Sequence, residues 1–350
     1  MAFEKLKLIN GSEITPESIF WLWDGWLAKG KLHILAGSPG TGKTTLALSF
    51  ASILSTGGIW PNGKSSKRLK TIIWSGEDSA EDTLVPRLLA CGADLKNIEF
   101  VGEVYTSNNK HRSFDPATDM LLLRRAIENR GDVGLVIIDS IVSAVANDTH
   151  KNSEVRRGLQ PIVDIANEFG CAILGINHLS KSTSGKDPLE RINGSIAFGA
   201  LARIVFIAIK TSQFQNVESP QRLVVRAKNN LGPDRGGFYY TIKEKILPDH
   251  PEISSTYAEW GEYVDAEARD LISRAENSFT DNQGELTSAK EFLKNILKNG
   301  PVASVDIFQL GRTNGFSDST IRRAQKILDI KSNRKHGFGS EGKWMWSLED

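Results

Sequence analysis

The sequence predicts an α/β fold, a mostly parallel sheet with antiparallel edge strands, followed by a small C-terminal helix-turn-helix domain. Three observations carry this expectation. Up to about residue 245, short apolar runs alternate with segments of helical apolar spacing. Two of the runs, Gly134-Leu135-Val136-Ile137-Ile138-Asp139 and Cys171-Ala172-Ile173-Leu174-Gly175-Ile176, are apolar without alternation, as strands covered on both faces are. Charge then divides the chain. From Glu244 to Glu285 eleven acids stand against Lys245, Arg269 and Arg274, a net of −8, whereas 286–350 carries eleven Lys/Arg against seven acids, a net of +4. The expected division is a domain at 1–245, an acidic linker at 246–285 and a basic domain at 286–350.

The elements follow in order. Residues 31–36 form a short apolar run that ends in glycines, and 44–55 has helical spacing. Residues 70–75 read as a second strand and 80–91 as a second helix. The strands at 134–139 and 171–176 are separated and preceded by helices at 154–169 and 117–129. After Arg203 the helices stop: 203–210, 221–228 and 237–243 read as strands joined by turns, antiparallel additions to the sheet edge. In the last part, 287–299 is an amphipathic helix, Gly300-Pro301 a turn, 304–313 a second helix, and Ser317-Asp318-Ser319-Thr320 opens a third. Two strands around a basic loop at 331–339 complete a winged helix-turn-helix pattern.

Composition narrows the function classes. The 350 residues are 40% hydrophobic and 24% charged with net charge +1, an ordinary globular balance. No apolar run has the length of a membrane span, and the first residues lack the basic-then-apolar order of a secretory signal. Two cysteines, Cys91 and Cys171, read as buried reduced thiols of a cytoplasmic protein. Six scattered histidines and no CxxC argue against a zinc site.

The strongest chemical signal is Gly37-Ser38-Pro39-Gly40-Thr41-Gly42-Lys43-Thr44, followed by Thr45. It fits G-x-x-x-x-G-K-[ST], the P-loop pattern, at every fixed position, between a strand and a helix. The loop's backbone N–H groups would cradle the phosphates of ATP and the helix N-terminus would add its field. Lys43 would reach the β- and γ-phosphates and the Thr44 hydroxyl would ligate Mg²⁺. Asp139 closes an apolar strand, where a carboxylate can hold the same metal. Directly after it stands Ser140, so a carboxylate that polarises water must come from elsewhere. Glu77 and Asp78, at the end of the second strand, are both candidates. His178, at the end of the run 171–176, is placed to hydrogen-bond the γ-phosphate.

This set resembles the RecA-type ATPases, and the chain is identified with them over about residues 20–240. The runs Gly76-Glu77-Asp78 and Pro86-Arg87-Leu88-Leu89-Ala90-Cys91-Gly92-Ala93-Asp94 are similar to the RecA-superfamily P-loop ATPases of phage and plasmid replication modules, a group that includes hexameric helicases of the RepA type. The segment Trp21–Trp26 is similar as well. The resemblance implies that Glu77 is the catalytic base, His178 the residue that reads the γ-phosphate, and Arg203 an arginine finger for the neighbouring subunit. It places Lys228 in an element of the form K-x-R-x-G-P, from which this sequence departs at Asn230. It further implies a homo-oligomeric ring, a hexamer, with replication proteins as further partners and no membrane.

Two segments after the third and fourth strands, 141–157 and 179–194, would face a single strand of DNA. They carry Arg156 and Arg157, and Lys181, Lys186 and Arg191, cations for backbone phosphates with no aromatic for base stacking. In the winged helix, Arg322, Arg323 and Lys326 share one side of the third helix. The expected function is ATP hydrolysis coupled to single-stranded DNA binding and translocation, a replicative DNA helicase of a phage, plasmid or integrated element. The alternatives are an ATP-switched loader, recombination mediator or regulator, and a P-loop kinase of a small molecule.

Overall fold

The computed structural model describes residues 6–106, 110–180, 186–194, 196–211, 221–335 and 343–348. It divides into two compact units, one that ends at Ile272 and one that begins at Ser273. In the first unit, nine strands form one sheet. They are β1 (Leu32–Gly37), β2 (Lys70–Ser75), β3 (Ile98–Phe100), β4 (Val133–Asp139), β5 (Ala172–His178), β6 (Ile204–Lys210), β7 (Arg222–Asn229), β8 (Gly237–Leu247) and β9 (His250–Val264). Their order is β9-β8-β7-β6-β1-β5-β4-β2-β3. The six strands from β6 to β3 run parallel. Only β7, β8 and β9 are antiparallel. The sequence suggests antiparallel pairing from 203–210 onward; instead β6 pairs in parallel with β1, and the reversal comes one strand later. The arrangement is the RecA-like P-loop core expected of the sequence.

Burial explains the apolar runs. Every residue of β1 and β4 is buried, because helices cover both faces of a parallel sheet. Helix α1 (Lys43–Thr56) is buried on nearly all sides. Beneath it lies an aromatic cluster: Trp23 stacks on Trp26 at 4.8 Å and on Trp60 at 5.1 Å and meets Phe50 edge-on at 5.5 Å. Two departures from the sequence reading have simple causes. The expected helix at 80–91 splits into a π-helical turn over Ala80–Leu84 and α2 (Val85–Ala90), where Pro86 has no N–H to continue the ladder. Helix α3 (Met120–Arg130) starts three residues late, after a turn in which Asp119 Oδ2 accepts from Asp115 N. Helices α4 (Asn152–Phe169) and α5 (Ala197–Leu201) complete the unit.

The stretch 246–285 is not a linker: it carries β9 and much of α6 (Ala268–Leu297). In β9, Ala258 and Trp260 turn inward onto the aromatic core while Glu259 and Glu262 face out. The outward acids give the stretch its linker-like composition. Both cysteines are free; Cys171 is buried but Cys91 only partly so.

In the second unit the described strands are β10 (Val302–Ala303), β11 (Lys331–Lys335) and β12 (Lys343–Ser347), antiparallel in the order β10-β12-β11. Helices α7 (Ser304–Thr313) and α8 (Asp318–Ile327) pack with the end of α6. Leu286, Ala289, Leu293 and Leu297 of α6, Ile307, Ile321, Ala324 and Trp346 fill its core.

His33 is wholly buried in β1. Its Nε2 accepts from Ala28 N at 3.0 Å, so the ring proton sits on Nδ1, 3.3 Å from Ile173 O. Burial pushes its pKa down to about 4. The unfolded imidazole, with a pKa of about 6.5, binds its proton first. Between those values the unfolded state holds more protons, so stability falls as pH drops, by at most about 1.4 kcal/mol per pH unit. The expected outcome is a steeper loss of chemical-denaturation stability between pH 6.5 and 4 for the native chain than for a His33→Gln variant; parallel curves refute it.

Candidate functional site

The site is built where β1 ends. Gly37 pairs with Ala208 of β6 on one side and with His178 of β5 on the other. A Cβ on Gly37 would stand 2.7 Å from Ala208 O and 2.8 Å from Thr41 Oγ1, so the loop can close back only over a glycine. Gly42, at φ 82°, turns the chain into α1 in the left-handed region. Thr41 Oγ1 donates to Ser38 O at 2.9 Å, and Tyr240 of β8 donates its hydroxyl to Thr41 O at 2.7 Å. Tyr240 is buried, which pushes its pKa upward and keeps the phenol a donor. Sequence reasoning did not single out this anchor; its tyrosine lies 199 residues from Thr41.

Lys43 is the first residue of α1 and nearly buried. Its Nζ lies 3.4 Å from Ser38 O and 3.3 Å from His178 Nδ1. An ammonium only donates, so Nδ1 accepts and the ring proton is on Nε2, which stands 3.6 Å from Glu77 Oε1. Thr44 Oγ1 donates to Asp139 Oδ2 at 2.7 Å. Burial dominates the titration of both charged groups. It lowers the pKa of Lys43 against the pull of Asp139 and Glu77. It raises that of Asp139, with Glu77 and Asp78 adding to the rise and Thr44 and Lys43 opposing it.

Glu77 and Asp78 follow β2, their N–H groups donating to Ser75 Oγ at 3.3 and 3.0 Å. The two carboxylates part there. Asp78 binds Arg87 Nη1 at 2.9 Å, and Glu77, more than half exposed, turns to His178. Together these residues line an open cleft of about 260 Å³ over the loop, along with Pro39, Gly40, Gly42 and Thr45. Arg87 also lines this cleft, a placement that sequence reasoning did not make. The hydroxyl of Thr44 and the carboxylate of Asp139 are hard oxygen donors side by side, the set that Mg²⁺ prefers. Among the described residues no cluster of three His, Cys, Asp or Glu offers a metal site made of protein ligands alone.

Other sequence candidates lie elsewhere. Arg203 is exposed at the start of β6. Its N–H donates to Leu32 O at 2.9 Å and its carbonyl accepts from Asn230 N at 2.9 Å. It is therefore level with Leu32, the opposite end of β1 from the loop, roughly 16 Å away at the usual strand rise. Lys228 stands beside it but is not in the cleft. Its ammonium donates to Gly199 O, Ala200 O and Ala202 O at 2.9, 3.0 and 2.8 Å, closing the last turn of α5 in its own chain. The expectation that Lys228 binds nucleotide is corrected to that extent.

Among the nucleic-acid candidates, Arg156 and Arg157 are exposed in the first turns of α4, Arg157 pairing with Glu154 at 3.5 Å. Lys186 is exposed, and Lys181 lies outside the described residues. Arg191 is only 6% exposed, so its guanidinium is packed into the protein and not offered to a strand of DNA, contrary to expectation. Arg322, Arg323 and Lys326 are all exposed on α8, with Arg322 over the Phe308 ring at 5.1 Å.

Residues 2–184 match the AAA domain family AAA_25, and the chain belongs to that family. Such a loop in such a family implies nucleotide binding. The chain is similar to the DNA repair protein RadA of Helicobacter pylori, 25% identical over 240 residues that cover 67% of this chain and 44% of the relative. It is also similar to the replicative DNA helicase DnaB of Rickettsia bellii, 21% identical over 297 residues, 79% of this chain and 51% of the relative. It thus spans about half the length of these relatives. No helix among the described residues is long and apolar enough to cross a membrane.

If Lys43 holds the phosphates, Lys43→Ala should reduce phosphate release from radiolabelled ATP to background, with the melting curve preserved. Turnover at the native rate in that variant would remove the loop from the reaction.

Proposed function

We propose that this chain is an ATP-hydrolysing motor that binds and moves along single-stranded DNA as a homo-oligomeric ring, a hexamer, and serves as a replicative helicase of a phage, plasmid or integrated element. The observation that carries the reading is the division of charge along the sheet. The phosphate cleft stands at the carboxyl ends of β1, β2, β4 and β5, and Arg203 stands at the amino end of β6, out of reach of its own cleft. A cation so placed can complete only the cleft of a second copy. Likeness to proteins named replicative DNA helicase and DNA repair protein supports the class.

The roles follow from position. Lys43 would draw the β- and γ-phosphate oxygens into the loop. Thr44 and Asp139 would hold Mg²⁺, which would supply neutralisation of phosphate charge when bound. Glu77, the exposed carboxylate without an arginine partner, would take the proton of the attacking water. His178, between Lys43 and Glu77, would sense whether the γ-phosphate is present, because a phosphate in the cleft competes for Lys43. Arg203 from the next copy would stabilise the charge of the transition state. Arg156, Arg157 and Lys186, on segments beyond β4 and β5, supply backbone contacts to a single strand.

A second reading, an ATP-switched loader or recombination mediator without unwinding, draws on the likeness to a DNA repair protein. Strand displacement on a forked duplex separates the two. The second unit we read as a winged helix that touches duplex phosphates through α8. Replacing Arg322, Arg323 and Lys326 with alanine in the whole chain should lower the salt slope of duplex binding by about 3, near one for each phosphate that a cation no longer meets. An unchanged slope would assign that face to protein.

The ring is tested by complementation. Arg203→Ala should bind ATP nearly normally and hydrolyse it at least about 10³-fold more slowly, the low end for such fingers. Mixed with the Lys43→Ala chain, it should regain activity, because some interfaces then join an intact loop to an intact finger. Full turnover by Arg203→Ala alone, or no recovery in the mixture, contradicts the trans arrangement.

A further inference from the structure

The cleft has a second flank that the roles above leave unused. β1 lies between β5 and β6; β5 ends level with β1, whereas β6 runs two residues further. On the β5 side His178 pairs with Gly37. On the β6 side Ala208 pairs with Gly37, so Lys210, two residues on, stands roughly 7 Å beyond that level, at the height of the loop. Its ammonium lies over Gly40: a Cβ built on Gly40 would be 3.1 Å from Nζ and 3.8 Å from Cε. Lys210 is exposed, and among the described residues no carboxylate pairs with it. Since β6 is an interior strand, a lysine here does not serve to protect a sheet edge.

Three sources of positive potential therefore converge on the loop: the N-terminus of α1, the Lys43 ammonium inside it, and the Lys210 ammonium outside it. Like charges so placed repel one another when nothing lies between them, and a polyanion relieves all three at once. The direction of approach says which phosphate Lys210 meets. Glu77, Asp139 and His178 mark the γ end of the cleft, and all three lie on the β5–β4–β2 side of β1. Lys210 comes from the opposite side.

Resting on the reading of the cleft as a nucleotide site, we propose that Lys210 is a second phosphate-binding cation, directed at the β-phosphate from the side opposite Lys43. It contributes equally to nucleoside diphosphate and triphosphate and holds the product as firmly as the substrate. The test is calorimetric titration of the whole chain with Mg²⁺ and either ADP or a non-hydrolysable ATP analogue. Lys210→Ala should weaken both on the order of tenfold, and Lys210→Arg should keep most of the affinity. ADP affinity unchanged in Lys210→Ala overturns the proposal, and so does a loss confined to the ATP analogue, which would place the lysine at the γ-phosphate. Equal losses in Lys210→Ala and Lys210→Arg would show a packing effect and also overturn it. Failure of the nucleotide reading itself looks different: the native chain would then bind neither ligand.

Discussion

The first unit depends on the register that locks β1 between β5 and β6. Gly37 faces His178 across one ladder and Ala208 across the other. That alignment brings the carboxyl ends of the strands to a common level, and the loop that follows β1 has its neighbours already in place. A slip of one residue would move every side chain of β1 to the other face of the sheet, setting each against the wrong packed layer, since both faces are buried. It would also move the glycine from the one place where Ala208 O leaves no room for a side chain. The apolar cost of such a slip is large, so packing of the sheet fixes the geometry of the polar site.

The cleft itself is electrostatically unfinished. Lys43 and Asp139 are both buried, and burial works against the charged form of each. The protein offsets this only in part, with Thr44 for Asp139 and with the carboxylates nearby for Lys43. A triphosphate with a metal would supply the missing charges with matching signs: phosphate oxygens would favour the ammonium and the metal the carboxylate. The same shortage explains why His178 turns its acceptor nitrogen to Lys43 and its N–H to Glu77. It occupies the gap between an unsatisfied cation and an exposed anion.

How much of this was legible depended on whether the signal was local. The loop from Gly37 to Thr44 and Asp139 at the end of an apolar strand are written in contiguous residues, and the structure brings both into one cleft with Glu77 and His178. The sequence left Glu77 and Asp78 level, because only the fold shows Arg87 bound to one of them. Tyr240 was invisible for the same reason: its partner is the carbonyl of Thr41, far away in the chain. β9 was hidden by composition, since its outward residues are acidic and its inward ones, Ala258 and Trp260, few. Arg191 was misjudged by counting charge without burial, and Lys228 was placed by resemblance alone. One is packed into the protein, and the other spends its donors on three carbonyls of α5.

Those three carbonyls bear on the other end of the sheet. Lys228 closes the last turn of α5, Leu32 and Asn230 hold the backbone of Arg203 from both sides, and the side chain alone remains free to reach outward. Asn230, at which the sequence departs from the K-x-R-x-G-P element, gives its backbone N–H to this brace. Held by Leu32 and Asn230, Arg203 has a firmly fixed root. A rigid root would matter if, as proposed, the side chain meets a charge on another copy, because each degree of freedom frozen at that encounter costs affinity or rate. If Arg203 is the finger proposed, a contact between it at one end of the sheet and the cleft at the other would not be self-complementary. Copies joined as proposed would associate head to tail, and such contacts end only when a ring closes.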